Sequence, residues 1–314
     1  MNAIASMSDL SPWLRIIGRG SHGRRDLARE EAAACLTALL EHELSEAQLG
    51  AWWIAMRLKG ESGEELAGFT EALRRTQRWQ LDAAQLARPC WVLPAYNGAR
   101  RLLNAVPLLA RALVERGAWV LVHGITHDPT RLTTYALWQA LGWPIAGEAA
   151  QAEKALRRNG LVFVPIAALQ PGLARLLAWR WRIGVRSTPH TLAKLIEPIA
   201  GAWRAVPVTH ADYLDRLSAF LAATGARAVV YRGAEGEAAW HPRRATELQV
   251  CASGQRRRHT WAAQPHAPCV ETAELDTSVR LLHAMLSGSA ALPECIHAQA
   301  EAFMEIAGAE HSPT

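Results

Sequence analysis

The chain has 314 residues, half of them apolar and a fifth charged, which excludes a disordered or fibrous protein and leaves room for one large domain or two ordinary ones. No apolar run reaches the roughly 18–20 residues of a membrane span, and five scattered cysteines without a CxxC pair argue against a disulfide scaffold or zinc ribbon. The formal net charge is only +5, but residues 83–196 hold 14 Lys+Arg against 4 Asp+Glu, and 154–196 hold eight basic residues and no acid. A segment so short of carboxylates implies an anionic partner. "MNAIASMSDLSPW" at the start has no basic region followed by an apolar run, so a cytoplasmic protein with reduced thiols is expected.

The first 80 residues read as helices. In "SPWLRIIGRG" Ser11 is placed to cap a helix and Pro12 to open it. "RDLAREEAAACLTALLEHE" follows with helical apolar spacing. Ser45 with Gln48, and Ser62 with Glu65, make capping-box patterns, and Gly60 marks a stop between them. Then strands and helices alternate: "CWVLPAYNG" as strand and turn, "RRLLNAVPLLARALVERG" as helix, "AWVLVHG" as strand, "TRLTTYALWQALG" as helix, "LVFVPIAAL" as strand, and "PGLARLLAWRWRIG" as helix after Pro171. "RAVPVTH", "ADYLDRLSAFLAATG" and "ARAVVYRG" continue the alternation. "ATELQVCAS" and "RRRHTWAA" suit an antiparallel pair, and helices around "TSVRLLHAMLSG" and "ALPECIHAQAEAFMEIAG" close the chain. The order predicts an α/β fold with a central, mostly parallel sheet after a helical region.

Two stretches carry the candidate chemistry. The loop "PAYNGARR" (94–101) follows a strand and precedes a helix, so its N–H groups could hold a phosphate. Asn97 and Gly98 permit the tight turn, and Arg100 and Arg101 add charge; the alternative is an ordinary βα loop with solvated arginines. In the predicted helix 172–184, Arg175, Arg182 and, if the helix continues, Arg186 fall within about 40° of one another, with Trp179 on the same side. Such a face can neutralise phosphates and stack on a base; equally, the tryptophans could face the core and the arginines water. His123 and His127 lie at a strand end rather than on a helix, so no metal pair is expected, and Asp212 and Asp215 suit a helix's first turns. "RRRH" (256–259) reads as a solvated face. No P-loop, GxSxG or Rossmann fingerprint occurs.

Taken in order, "IGRG" with "RDL", "AWWIAMRLKGES", "LPAYNGARR", "LVHGITHDPTR", "AWRWRIGVRSTPHTLAKL" and "YRGAEGE" resemble the anthranilate phosphoribosyltransferase family, and within it the YbiB-type, TrpD-like branch of nucleic-acid-binding proteins. The resemblance implies a class IV phosphoribosyltransferase fold, similar to that of nucleoside phosphorylases: a helical domain over 1–82 joined by a helical segment 171–190, an α/β domain over 83–314, and a homodimer formed through the helical domain. It also shows departures. The family's GTGGD-type phosphate loop corresponds to "PAYNGARR", with Asn97 and Gly98 at its turn. In the KHGNR motif His123 and Gly124 match while the lysine is Val122; in GxRTxFNxLGPL, Gly184 and Arg186 match while His190 and Lys194 differ. Where an Asp-Glu pair would hold magnesium stand Ala238 and Ala239, with Glu237 the only nearby acid.

Pyrophosphate transfer needs a hard cation on carboxylate oxygens, so the resemblance implies a transferase reaction that is absent or very poor, with no cofactor and no metal. It implies instead a non-catalytic protein whose basic groove binds DNA or RNA with little sequence preference and which makes no membrane contact. Arg100, Arg101, Arg175, Arg180, Arg182, Arg186 and Lys194 would meet phosphates, and Trp179 or Trp181 would stack on bases. The alternative is a phosphoribosyltransferase with an altered substrate, in which Arg186 and the 94–101 loop hold a small phosphorylated ligand.

Overall fold

The structure, a computed structural model, describes residues 9–20 and 22–309, so residues 1–8 of the N-terminal stretch read above lie outside it. The chain divides into two units: Met1–Arg78 with Ile166–Ile196, and Trp79–Pro165 with Glu197–Thr314. The first begins with α1 (Ser11–Ile17), α2 (Arg29–Glu41), α3 (Glu46–Lys59) and α4 (Gly63–Thr76). The second follows with β1 (Leu81–Asp82), β2 (Cys90–Ala95), α5 (Val106–Glu115), β3 (Trp119–Gly124), α6 (Thr134–Ala140), α7 (Ala149–Asn159) and β4 (Leu161–Pro165). The chain returns to the first unit for α8 (Ile166–Leu169), α9 (Pro171–Ala178), α10 (Arg180–Ile183) and α11 (Thr188–Leu192). It ends in the second with β5 (Ile199–Ala200), β6 (Trp203–Val208), α12 (Ala211–Ala223), β7 (Ala228–Arg232), β8 (Thr246–Ala252), β9 (Gln255–Trp261), α13 (Leu275–Leu286) and α14 (Glu294–Ala309).

In the helical unit the capping box of α4 forms as its sequence predicts. Ser62 Oγ accepts from the Glu65 N–H and the Glu65 carboxylate accepts from the Ser62 N–H. Glu65 is fully buried, and Lys59 Nζ at 2.6 Å and the Leu27 N–H satisfy the rest of its carboxylate. The other two N-terminal expectations change. Gln48 turns away from Ser45 and binds Asp9 and Ser11, while Asp9 accepts from the Ser11 N–H, so α1 is capped from one residue further out, with Leu10 at the N-cap.

The second unit holds a seven-stranded sheet in the order β4-β3-β2-β6-β7-β8-β9, and a two-stranded parallel pair β1-β5. The ladders from β4 to β7 are parallel; β7-β8 and β8-β9 are antiparallel, as the two C-terminal segments predict. Strands β2 and β3 are buried at every position, as strands covered on both faces must be. Trp91 of β2 stacks on Phe303 of α14 at 4.2 Å and on Trp203 of β6 at 5.7 Å, seating the last helix on the sheet.

Several elements differ from the sequence reading, among them β1, β5 and α11, which it does not contain. Pro165 has no N–H to extend the β4 ladder, and the next residues form the helical turn α8, closed by the Gln170 N–H on the Ile166 carbonyl. Helix α7, ended by Gly160, is an added element. Helix α5 begins at Val106 rather than Arg100, because Asn104 Oδ1 takes the Val106 N–H and caps it there.

Candidate anion and nucleic-acid interface

In the helical unit Trp179 separates α9 from α10, and Gly184, at φ +86°, ends α10. The helix therefore stops short of Arg186, and the single basic face expected through that residue does not form. Arg175 Nη2 donates to the carbonyls of Leu39, Leu40 and His42 at 3.0–3.2 Å, closing the carboxyl end of α2. Arg182 grips both oxygens of Glu46 at 2.5 and 2.7 Å and lies 4.5 Å over the half-buried Trp179 ring. Arg175 and Arg182 thus already serve the folding of this unit.

The other cations gather. The segment after Gly184 hangs on α3: Trp53 Nε1 donates to the Val185 carbonyl at 2.9 Å, Arg57 to the Arg186 carbonyl at 2.5 Å, and Ser187 Oγ to the Trp53 carbonyl at 2.8 Å. The Trp53 ring meets His190 edge-on at 5.9 Å. Burial, followed by the charges of Arg186, Arg180 and Lys194, holds the His190 pKa well below the ordinary histidine value. Three positive side chains thus act on His190, and Arg57 brings a further guanidinium to the same segment. Arg180 itself lies 4.4 Å over Trp181, whose ring is 45% exposed.

In the α/β unit the loops after β2 and β7 meet beyond the carboxyl ends of the parallel strands, where open α/β sheets place their ligand sites. The N–H groups of Asn97 and Gly98 donate to Glu237 Oε1 at 2.6 and 2.8 Å. Those of Arg100, Arg101 and Leu102 converge on Glu235 Oε2 at 2.8, 3.2 and 3.3 Å. Thr134 donates to the second Glu237 oxygen at 3.3 Å and accepts from Asn104 Nδ2 at 3.0 Å. The turn that delivers both carboxylates is tightly built. Asn97 Nδ2 donates to the Gly236 carbonyl, and Gly236 has φ +84° with no room for a Cβ beside Asn97. Gln299 anchors the far side, accepting from the Trp240 N–H and donating to the Ala238 carbonyl, both at 2.8 Å. The loop is an anion cradle, as its phosphate-loop reading implies, but the protein's own carboxylates fill it.

The Arg100 and Arg101 side chains are exposed and have no ion pair among the described residues. His123 lies inside the sheet with Tyr96 Oη 2.7 Å from its Nδ1; burial, then the Arg204 charge, lowers its pKa to about 3. Gly124 sits in register with Ala95, packed against its carbonyl. His123 and Gly124 therefore belong to the strand core rather than to the loop surface.

Sequence reasoning missed Arg57, Glu235 and the exposed pair Arg243 and Arg244. Arg244 and Arg243 add to burial in lowering the His241 pKa, while Glu235 opposes them, so these cations lie in the neighbourhood of the Arg100–Arg101 loop. The "GAEGE" run was a usable signal for a tight acidic turn, but nothing local pairs residue 237 with residue 97.

The magnesium–pyrophosphate group that the family resemblance implies needs hard oxygen donors. Ala238 and Ala239 are buried and apolar, and the Glu237 carboxylate is held by Asn97, Gly98 and Thr134. These residues do not fit that group.

Comparison with known proteins agrees with this architecture. Residues 12–76 match the family described as the glycosyl transferase family, helical bundle domain. The chain is 35% identical over 297 residues to the uncharacterized protein YbiB of Escherichia coli (strain K12), spanning 93% of this chain and 92% of that protein. It is 30% identical over 234 residues to the anthranilate phosphoribosyltransferase of Synechococcus sp. (strain CC9902), spanning 74% of this chain and 66% of that enzyme. In fold it is similar to the crystal structure of anthranilate phosphoribosyltransferase (TrpD) from Thermus thermophilus, with a TM-score of 0.76 at 24% identity over 92% of this chain and 88% of that one. The Saccharomyces cerevisiae enzyme in complex with PRPP and Mg gives a TM-score of 0.74 at 14% identity over 97% and 90%. The helical unit, the mostly parallel sheet and the match to YbiB over nearly all of both chains lead to one conclusion: the chain belongs to one family with YbiB and has the fold of the anthranilate phosphoribosyltransferases.

Proposed function

We propose that this protein is a non-catalytic, cytoplasmic binder of DNA or RNA that reads the phosphate backbone with little sequence preference. The observation that carries the reading is the set of cations on the helical unit, where Arg180, Arg186 and Lys194 each act on half-buried His190 and Arg57 binds the Arg186 carbonyl from α3. A polyanion is attracted to such a group of positive side chains and releases its own counterions on binding. Trp181, exposed beneath the Arg180 guanidinium, offers a face on which a base can stack. On the α/β unit Arg100, Arg101, Arg243 and Arg244 provide a second group of exposed cations.

A fluorescence titration of a labelled oligonucleotide across salt tests the reading. With about five phosphates neutralised, the log–log slope is expected near −4, shallower for a single strand. An affinity that stays constant between low and high salt would remove the electrostatic basis.

The family relation favours a second reading, a phosphoribosyltransferase with an altered substrate. Calorimetry with phosphoribosyl pyrophosphate and magnesium separates the two, since tight, magnesium-dependent heat is expected only from the enzyme. A homodimer through the helical unit is part of the proposal. Its support is Ile54 and Leu58, one turn apart on α3 and 40% and 73% exposed.

A further inference from the structure

Five backbone N–H groups of one loop point at two carboxylate oxygens of one turn. Converging amides of this kind are the device by which proteins bind phosphate groups. Here the donors are taken in two sets, Asn97 with Gly98 by Glu237 and Arg100, Arg101 with Leu102 by Glu235. Glu235 reaches its set from a left-handed backbone, φ 50°, that a non-glycine residue adopts only at some expense. Glu237 is 4% exposed, whereas Glu235 is only half-buried, so one anion is sealed in and the other lies at the rim. The turn is held from behind by Tyr231 and Gln299 on the Ala238 carbonyl, which keeps both carboxylates aimed at the loop.

We infer that turn 233–237 is a built-in substitute for a phosphate ligand: its two carboxylates occupy the amide cradle of loop 97–102 and close it to phosphate and pyrophosphate. Occupancy blocks the donors, and the negative charge repels a second anion. The same bonds fix the loop backbone at Arg100 and Arg101, whose side chains are exposed. The rim carboxylate is the removable half of the substitute. A chain without it regains an open site for a phosphate or pyrophosphate group on the amides of Arg100, Arg101 and Leu102. This inference is independent of the nucleic-acid reading, because it concerns a loop whose donors are already bound and leaves the cations around His190 untouched.

The test is a backbone-amide NMR titration of the full chain with inorganic pyrophosphate, free of magnesium. In the intact protein the amide signals of residues 97–102 are expected to stay in place. In Glu235→Gly, whose left-handed backbone suits glycine and so preserves the turn, the amides of Arg100, Arg101 and Leu102 should shift saturably, with an affinity at least about tenfold above that of the intact chain. Glu235→Asn, neutral and one methylene too short, tolerates the same backbone and is the second variant should the first loosen the turn. The inference is overturned if the amides of the intact chain respond at the same pyrophosphate concentration as the variants. It is equally overturned if both variants, folded by circular dichroism, leave those amides unmoved. Loss of oligonucleotide binding in the intact chain would sink the proposed function and leave this result standing.

Discussion

Glu237 shows how much one buried carboxylate can hold. Its removal strands the amides of Asn97 and Gly98 in the core, each a donor that must then go without water or partner. Glu237→Ala is expected to lower stability by about 2–4 kcal/mol in urea unfolding, mostly through those orphaned donors. Among the cations, structural and binding duties separate by experiment. Arg175→Ala should lower the urea midpoint and leave the salt slope of oligonucleotide binding unchanged, since that guanidinium caps the carbonyls of α2. Lys194→Ala should weaken binding evenly across sequences and reduce the slope by about 1. Buried His123 and half-buried His190 make the fold sensitive to acid. Burial first, then nearby cations, holds His123 at about 3 and His190 well below its ordinary value, so both are neutral in the folded chain. An unfolded histidine gains its proton below about pH 6.5, so stability is full above that pH and falls as the solution is acidified. The loss is up to about 1.4 kcal/mol per pH unit for each histidine, and urea midpoints at pH 7.5, 6 and 5 should show it, with a shallower fall in His190→Gln.

At the level of helices, local patterns succeeded where the partner lies within one turn. The capping box of α4 needs only Ser62 and Glu65, three residues apart, and it forms. The same pattern at Ser45 and Gln48 does not, because Ser11 at the start of α1 and Asp9 just before it compete for the Gln48 side chain. The single basic face of α9 and α10 does not form: Gly184 breaks the helix before Arg186 and Glu46 pairs with Arg182, while Arg180, Arg186 and Lys194 each act on His190. The Arg182–Glu46 pair is exposed on both sides, 58% and 62%, so Glu46→Gln should change stability by less than about 1 kcal/mol. The same change frees a guanidinium beside Trp179 and should raise oligonucleotide affinity by about threefold at low salt; an unchanged affinity would place Arg182 outside the interface. On α3, Leu58→Asp puts a charge into the exposed apolar pair with Ile54, and light scattering should then find a monomer in place of the proposed dimer.

Across the whole chain, the excess of positive charge in 83–196 is divided between two units by the course of the backbone. Loop 94–101 belongs to the α/β unit, while residues 175–194 belong to the helical one. The relation to phosphoribosyltransferases supplies the architecture, yet the places where a magnesium-bound pyrophosphate would be held are apolar alanines and a carboxylate already bound to backbone amides. A fold of this kind can keep its sheet and helical bundle while its ligand loop is refilled from within, because sheet packing depends on Trp91, Trp203 and Phe303 rather than on the loop residues.

Most of the order of strands and helices, the mostly parallel sheet with its antiparallel edge, and the shortage of acids in one segment could be read from the residues alone. Those properties arise from periodicity, turn chemistry and composition, each encoded within a few positions of itself. The partners of the site residues could not. Glu237 meets Asn97 across 140 positions, and Arg182 meets Glu46, and Arg175 the Leu39 carbonyl, each across 136. Which carboxylate fills a cradle and which guanidinium is taken by a neighbour depends on the folding of distant segments onto one another, and a pattern confined to one segment holds no record of it.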